Sequence, residues 1–286
     1  MFGSARCFAP LASASLLALL VSVQAGCGDG GRVILGMGTT VQDSGLADAL
    51  IPAFEEATGY DVTAVSVGTG QALEMGRRGD ADVLFVHAPA AEEAFVAEGF
   101  GVNRRLVMHN DFVFVGPADD PAGVADADGA ADALRAIADT EASFISRGDD
   151  SGTHKLELSL WEELGVDPAE QDWYRESGQG MGATLQIAGQ RDGYTISDRG
   201  TYLSQRDTLD LVVLFEGDPR LINVYHVMQV NPERFDGVEA EGARAFVEFL
   251  VSDEGQALIG DFGVEEFGEP LFIPAAGLSE EELGVP

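Results

Sequence analysis

From Arg32 onward, short apolar runs alternate with amphipathic helical stretches, and many of the joins between them are rich in Gly, Thr and Ser. A chain with that rhythm has to layer helices on a sheet, and the alternation predicts a parallel one. Arg32 to Leu35 predicts a strand, and Gly36 to Thr40 a turn. Leu46 to Ala57 predicts a helix, with Leu46, Leu50, Ala53, Phe54 and Ala57 on one face and Gly59 as its stop. Strand Val62 to Val67, helix Gln71 to Arg78, strand Asp82 to Val86, helix Ala90 to Glu98 and strand Phe112 to Val115 complete a first unit.

Between Pro117 and Gly129 the composition shifts to Pro, Gly, Ala and Asp, which marks a crossover. A second unit repeats the pattern. It predicts helix Ala130 to Asp139, strand Ser143 to Ile145, helix Lys155 to Leu164, helix Ala183 to Arg191, strand Tyr194 to Ser197 and helix Arg199 to Gln205. Leu221 to Val230 reads as the return strand, and helices Glu241 to Val251 and Asp253 to Phe262 need the first unit to pack on. At 286 residues with 45% hydrophobic content, the chain can support two modest cores. Trp161, Trp173 and Tyr174 are expected to belong to one of them.

Charge narrows the partners. The net charge is −33, and Lys155 is the only lysine. Phosphate backbones need a basic surface, so no nucleic-acid partner is expected. A chain this negative also repels anions at long range, so any anion site must be built from local donors. The four histidines, His87, His109, His154 and His226, show no paired ligand spacing. Neither a metal nor a cofactor is expected.

Residues 1–26 read as a secretory signal. Arg6 precedes an apolar run from Leu11 to Val23, and Ala25 and Gly26 are the small residues before Cys27. A cysteine at that point predicts lipidation at Cys27, and cleavage after Ala25 is the alternative. The only other cysteine, Cys7, lies inside the signal, so the exported chain is expected to carry no internal disulfide.

Three joins share one design: Gly36-Met37-Gly38-Thr39-Thr40, Gly68-Thr69-Gly70, and Ser146 to Thr153. Each follows a strand and opens a helix. A helix N-terminus offers free N–H groups and partial positive charge, Gly admits close approach, and hydroxyls donate without adding charge. Arg147 adds a full charge on a planar fork that suits a tetrahedral anion. The candidate ligand residues are therefore Thr39, Thr40, Thr69, Arg147, Ser151 and Thr153. A further join, Gln179 to Thr184, could add backbone donors. No catalytic residue is assigned, because the chain lacks a Gly-x-Ser-x-Gly elbow and metal ligands; the rival reading is a phosphate-handling enzyme.

At these residues the chain resembles the tungstate-binding proteins of bacterial ABC importers. The similar stretches are Gln42-Asp43-Ser44-Gly45-Leu46, VGTGQAL from Val67, DADVLFVHAPAAEE from Asp80, GVNRRLVMHNDFVFVGP from Gly101, SRGDDSGTHK from Ser146, GQGMGATL from Gly178 and YTISDRGTY from Tyr194. The resemblance implies a class II periplasmic-binding-protein fold: two α/β lobes joined by two hinge strands, with the ligand in the cleft. It divides the chain into signal (1–26), a first segment of lobe 1 (27–114), lobe 2 (115–223) and a return to lobe 1 (224–286). The family's Thr-Thr-Thr-Ser-Thr motif falls on Met37 to Val41, so Thr39 and Thr40 keep hydroxyls while Met37 and Gly38 do not. The implied role is to capture tungstate, with molybdate, sulfate or phosphate as alternatives, and to deliver it to a membrane permease. The protein is expected to work as a monomer at the extracytoplasmic face, touching the membrane only through a lipid on Cys27.

Overall fold

The computed structural model describes residues 30–285 together with Met1 and Gly3, so the signal and Cys27 lie outside the described residues. The chain begins with strand β1 (Arg32–Gly38), helices α1 (Thr39–Asp43) and α2 (Leu46–Thr58), β2 (Asp61–Val67), α3 (Thr69–Arg78), β3 (Val83–Val86) and α4 (Pro89–Ala97). The strand β4 (Gly101–Gly116) follows. Then come α5 (Ala130–Thr140), β5 (Phe144–Ser146), α6 (Gly152–Leu164), β6 (Tyr174–Glu176), α7 (Met181–Gln190), β7 (Thr195–Asp198), α8 (Arg199–Gln205) and β8 (Val212–Phe215). The chain returns through β9 (Ile222–Val230), then α9 (Ala240–Leu250), α10 (Asp253–Asp261), α11 (Val264–Phe267) and β10 (Ile273–Pro274).

The main sheet runs β10-β4-β9-β3-β1-β2. It is mixed, which corrects the expectation of a parallel sheet. β1 pairs in parallel with β2 and β3, but β9 lies between β3 and β4 and is antiparallel to both. Periodicity reports burial, and a strand buried on both faces reads alike in either direction.

β4 joins the two lobes. Gly101 to Asp111 pair with β9, and Phe112 to Gly116 pair with β7 and β8. The sequence shows only its apolar end as a strand. Its first half carries Asn103, Arg104 and Arg105, and the register shifts beside them, with Asn103 at φ 53°. Arg104 is satisfied by ion pairs: it donates to Glu92 at 3.0 Å and to Glu280 at 2.9 Å. His226 on β9 lies between the same two carboxylates, with one ring nitrogen 3.0 Å from Glu92 and the other 3.1 Å from Glu280. The sheet tolerates Arg104 and His226 because each meets carboxylates, while Asn103 and Arg105 are exposed.

The largest buried cluster crosses between the lobes, joining Val33, Leu35 and Leu50 to Met181, Leu185 and Leu203, and two further clusters each lie to one side. Ala72, Leu73, Leu84, Phe95 and Met228 pack between β3, β9 and the helices α3 and α4 of the first lobe. Phe112, Phe114, Leu134, Phe144, Leu160, Trp161 and Tyr194 fill the second. Trp161 and Tyr174 are core, as expected, with Trp173 packed against them.

Candidate functional site

The first join differs from the sequence reading. Gly36 to Gly38 continue β1, so the turn expected at Gly36 to Thr40 is a strand end running directly into α1. Met37 is fully buried, pairs with Phe85 and packs in the hydrophobic core. Thr39 and Thr40 open α1, Thr69 opens α3, and Ser151 caps α6 ahead of Thr153.

The structure brings Thr39 and Arg147 together and sets the joins carrying Thr69 and Ser151 against each other, while Thr40 bonds to Tyr225 within the first lobe. Arg147 is 1% exposed, and its Nη2 donates across the cleft to Thr39 Oγ1 at 2.6 Å as well as to the Asp149 carboxylate. Gly70 N–H donates to the Asp150 carbonyl at 3.0 Å. Asp43, at the end of α1, accepts from Gly182 N–H at the start of α7, 3.1 Å away. Ser204 on α8 donates to the Asp43 carbonyl at 3.3 Å. The lobes are closed on each other.

The hydrogen-bond directions are informative. Thr39 Oγ1 accepts from Arg147, Thr40 Oγ1 from Tyr225 OH at 3.2 Å, and Ser151 Oγ from His154 N–H at 3.2 Å. A hydroxyl that already accepts keeps its own hydrogen free to donate. Thr69 Oγ1 and Thr153 Oγ1 are buried without any protein partner, and so are Arg147 Nε and Nη1. Buried polar groups are normally satisfied, so unpartnered donors gathered in one place point to a ligand that accepts. The helices α3, α6 and α7 start around the same place and add their positive ends.

Behind these donors lies a support layer that sequence reasoning missed. Asn223 on β9 donates to Asn110 Oδ1 at 2.8 Å and to Tyr225 OH at 2.9 Å, and its own Oδ1 lies 2.9 Å from His87 Nδ1. That oxygen can only accept, so His87 carries its proton on Nδ1. Burial, opposed by the Asn223 bond, pushes the His87 imidazole down to about 4, so it is neutral. The ring stacks on Tyr225 at 4.8 Å. Tyr225 in turn orients Thr40. Scattered single residues on separate strands leave no periodic trace, which is why this layer is invisible in the sequence.

Two acids bear on ligand choice. A ligand that kept a proton would need an acceptor, and Asp43 and Asp149 at the site are each already engaged by an N–H or Arg147. Asp198 is fully buried, caps α8 through Oδ1 to Thr201 N–H at 2.8 Å, and leaves Oδ2 unpartnered. Burial pushes its carboxyl up to about 6, while its Thr201 bonds and the Arg147 charge pull the other way.

Arg147 is held from below. Glu157 on α6 is buried and accepts from Ser146 Oγ at 2.6 Å, Tyr174 OH at 2.8 Å and Trp161 Nε1 at 3.2 Å. Burial outweighs these donors and pushes its carboxyl up to about 7. The folded-state value lies above the unfolded one, so the neutral acid is preferred in the fold. Its contribution to stability is full below the unfolded value near 4.5 and is lost as pH rises through about 7. The Glu157→Gln variant should therefore melt with a shallower pH dependence between pH 5 and 8 than the parent. Equal slopes in thermal denaturation would refute the assignment.

A cavity of about 550 Å3 adjoins the site through His87 and Gly152, lined also by Lys155, Arg220, Phe112 and Val224. None of the candidate ligand residues lines it. Among the described residues, no group of His, Cys, Asp and Glu is arranged to hold a metal ion.

Fold and site together define a two-lobed solute-binding protein, not an enzyme. The profile of the PBP superfamily domain matches residues 25–254. The tungstate-binding protein TupA of Peptoclostridium acidaminophilum is 50% identical over 86% of both chains. The tungstate ABC transporter structure from Geobacter sulfurreducens is similar at 49% identity and a TM-score of 0.73, covering 81% of this chain and 98% of that one. The tungstate-binding protein TupA from Desulfovibrio alaskensis G20 is similar at 44% identity and a TM-score of 0.71, covering 86% of this chain and 99% of that one. The chain belongs to the PBP superfamily and, within it, to the family of these tungstate-binding proteins.

Proposed function

We propose that the protein captures tungstate outside the cytoplasm and delivers it to the permease of an ABC importer. The observation that carries this reading is the set of free donors. Thr39, Thr40, Thr69, Ser151 and Thr153 keep hydroxyl hydrogens free, and Arg147 keeps Nε and Nη1 free, all in a closed cleft. A fully deprotonated tetrahedral dianion only accepts, so it satisfies every one of them. Water is excluded, which strengthens each bond. No bond in the ligand needs to break.

Calorimetric titration with tungstate, molybdate, sulfate and phosphate tests the reading. Tungstate is expected to bind tightest. Phosphate retains a proton near neutral pH and needs an acceptor, for which Asp198 Oδ2, buried and without a partner, is the candidate to test. Phosphate binding tightest, with loss in Asp198→Asn, would replace tungstate with phosphate.

The localisation follows from residues 1–27. The signal directs export, a lipid on Cys27 holds the protein at the outer face of the cell membrane, and the protein works there as a monomer. Cell fractionation of Cys27→Ser should move the protein from the membrane to a soluble fraction. Unchanged membrane attachment would exclude the lipid.

A further inference from the structure

The lobes touch through backbone at places where the sequence has glycine. Gly68 sits at the N-cap of α3 in the first lobe, and a Cβ there would lie 2.5 Å from the Asp149 carbonyl oxygen of the second. Gly152 is the first residue of α6 in the second lobe, and a Cβ there would lie 2.2 Å from the His87 carbonyl oxygen of the first. Both carbonyls are backbone, so neither can swing aside. Gly70 is a softer case. Its Cβ would strike the Asp150 carboxylate, which is exposed and can rotate, and would lie 3.1 Å from the Asp150 carbonyl.

None of these glycines is required by its own backbone. Gly68 has φ −60° and ψ 150°, and neither Gly70 nor Gly152 has positive φ. Gly70 and Gly152 lie within the first turns of α3 and α6, where helix propensity favours alanine, whereas Gly68 is an N-cap, where glycine is modestly better than alanine. At Gly70 and Gly152, local structure therefore prefers a side chain where the chain has none. The conflict arises only across the cleft, and only when it is closed.

A second observation ties these contacts to the ligand. Thr69 lies between Gly68 and Gly70, and Thr153 follows Gly152; both hydroxyls are buried and unpartnered. The Gly70 N–H to Asp150 carbonyl bond crosses the cleft at the same place. We propose that Gly68, Gly70 and Gly152 form a side-chain-free seam on which the lobes close, and that the tightness of this seam sets how long the captured anion is retained. This rests on the oxyanion-binding reading above. The glycines are positioning residues: they let the Thr69 and Thr153 hydroxyls and Arg147 reach one anion from both lobes at once.

The test uses the full-length protein with tungstate as probe. Gly152→Ala, Gly68→Ala and Gly70→Ala are compared with Gly189→Ala, a helical glycine whose added Cβ meets nothing closer than 3.7 Å. Tungstate release is followed by rapid mixing, closure by small-angle scattering, and ligand-free stability by thermal melting. Release should accelerate on the order of 10- to 100-fold in Gly152→Ala and Gly68→Ala, with a smaller effect in Gly70→Ala and none in Gly189→Ala. The two strict variants should keep the larger, open radius of gyration with tungstate present; ligand-free melting should hold or rise in Gly152→Ala and fall only slightly, through the poorer cap, in Gly68→Ala. Parent-like release in Gly152→Ala and Gly68→Ala, from a parent that binds tungstate, overturns the seam alone. A large fall in the ligand-free melting of Gly152→Ala overturns it too, because the lobe and not the closure would then be damaged. No oxyanion binding by the parent overturns the functional reading and the seam together.

Discussion

Arg147→Ala is expected to remove measurable tungstate binding under conditions where the parent titrates fully. Arg147 is the one full positive charge among the candidate ligand residues, it is 1% exposed, and Nε and Nη1 have no protein partner. A hydrogen bond to a charged group is worth roughly 1.5–3 kcal/mol, so two of them amount to about 3–6 kcal/mol, on the order of a hundredfold or more in affinity. The loss has a second part. Asp149 is 11% exposed and shares its Oδ2 with Arg147, so truncation leaves a carboxylate beside the anion with its charge unanswered. Arg147→Lys should recover little, because an ammonium cannot reproduce the planar fork that reaches Thr39, Asp149 and the ligand together. Thr39→Ala should cost less than either, since it removes one neutral donor. If calorimetry ranks Thr39→Ala above Arg147→Ala, the site is built differently from this account.

The largest loss of stability is expected from Trp161→Ala. Trp161 is 1% exposed at the centre of the second lobe, edge-on to Phe144 at 5.7 Å and tilted against Trp173 at 5.5 Å. Truncating a buried aromatic of this size costs roughly 3–5 kcal/mol through lost burial and the cavity left behind. Its indole N–H also donates to Glu157, so the variant leaves that buried carboxyl with one donor fewer. Ser146 hangs on Glu157, and Arg147 follows Ser146, so weaker tungstate binding should accompany the lower stability. Chemical denaturation would measure the first effect. A loss below about 1 kcal/mol would mean that the lobe repacks around the gap.

The helices were legible because their signals are local. The stripe from Leu46 to Ala57 with Gly59 behind it became α2, which runs to Thr58 and ends on Gly59 in the left-handed region. The hydroxyl-rich joins were legible for the same reason: a Ser or Thr at a strand-to-helix junction marks itself. Sequence did not show that Gly36 to Gly38 stay extended, because a Gly pair reads as a turn unless neighbours on both sides hold it in a sheet, as β2 and β3 do here. The polar first half of β4 was hidden too. An Arg pair in so acidic a chain predicts ion pairs, but only folding shows that Glu92 and Glu280, far away in the chain, are the partners of Arg104.

The division between sequence and structure follows from the range of the forces involved. Periodicity, capping and composition act within a few residues, and they determined the α/β alternation, the acidic surface and the set of donors at helix starts. Contacts between residues far apart in the chain decided the rest. Only folding places Thr39 2.6 Å from Arg147, and only folding brings Asn223 to Tyr225 and Tyr225 to Thr40. The direction of each hydroxyl hydrogen, and with it the preference for a ligand that accepts everywhere, depends on which distant partner has already taken the oxygen. No window of sequence contains that information, because the partner arrives from another strand or from the other lobe.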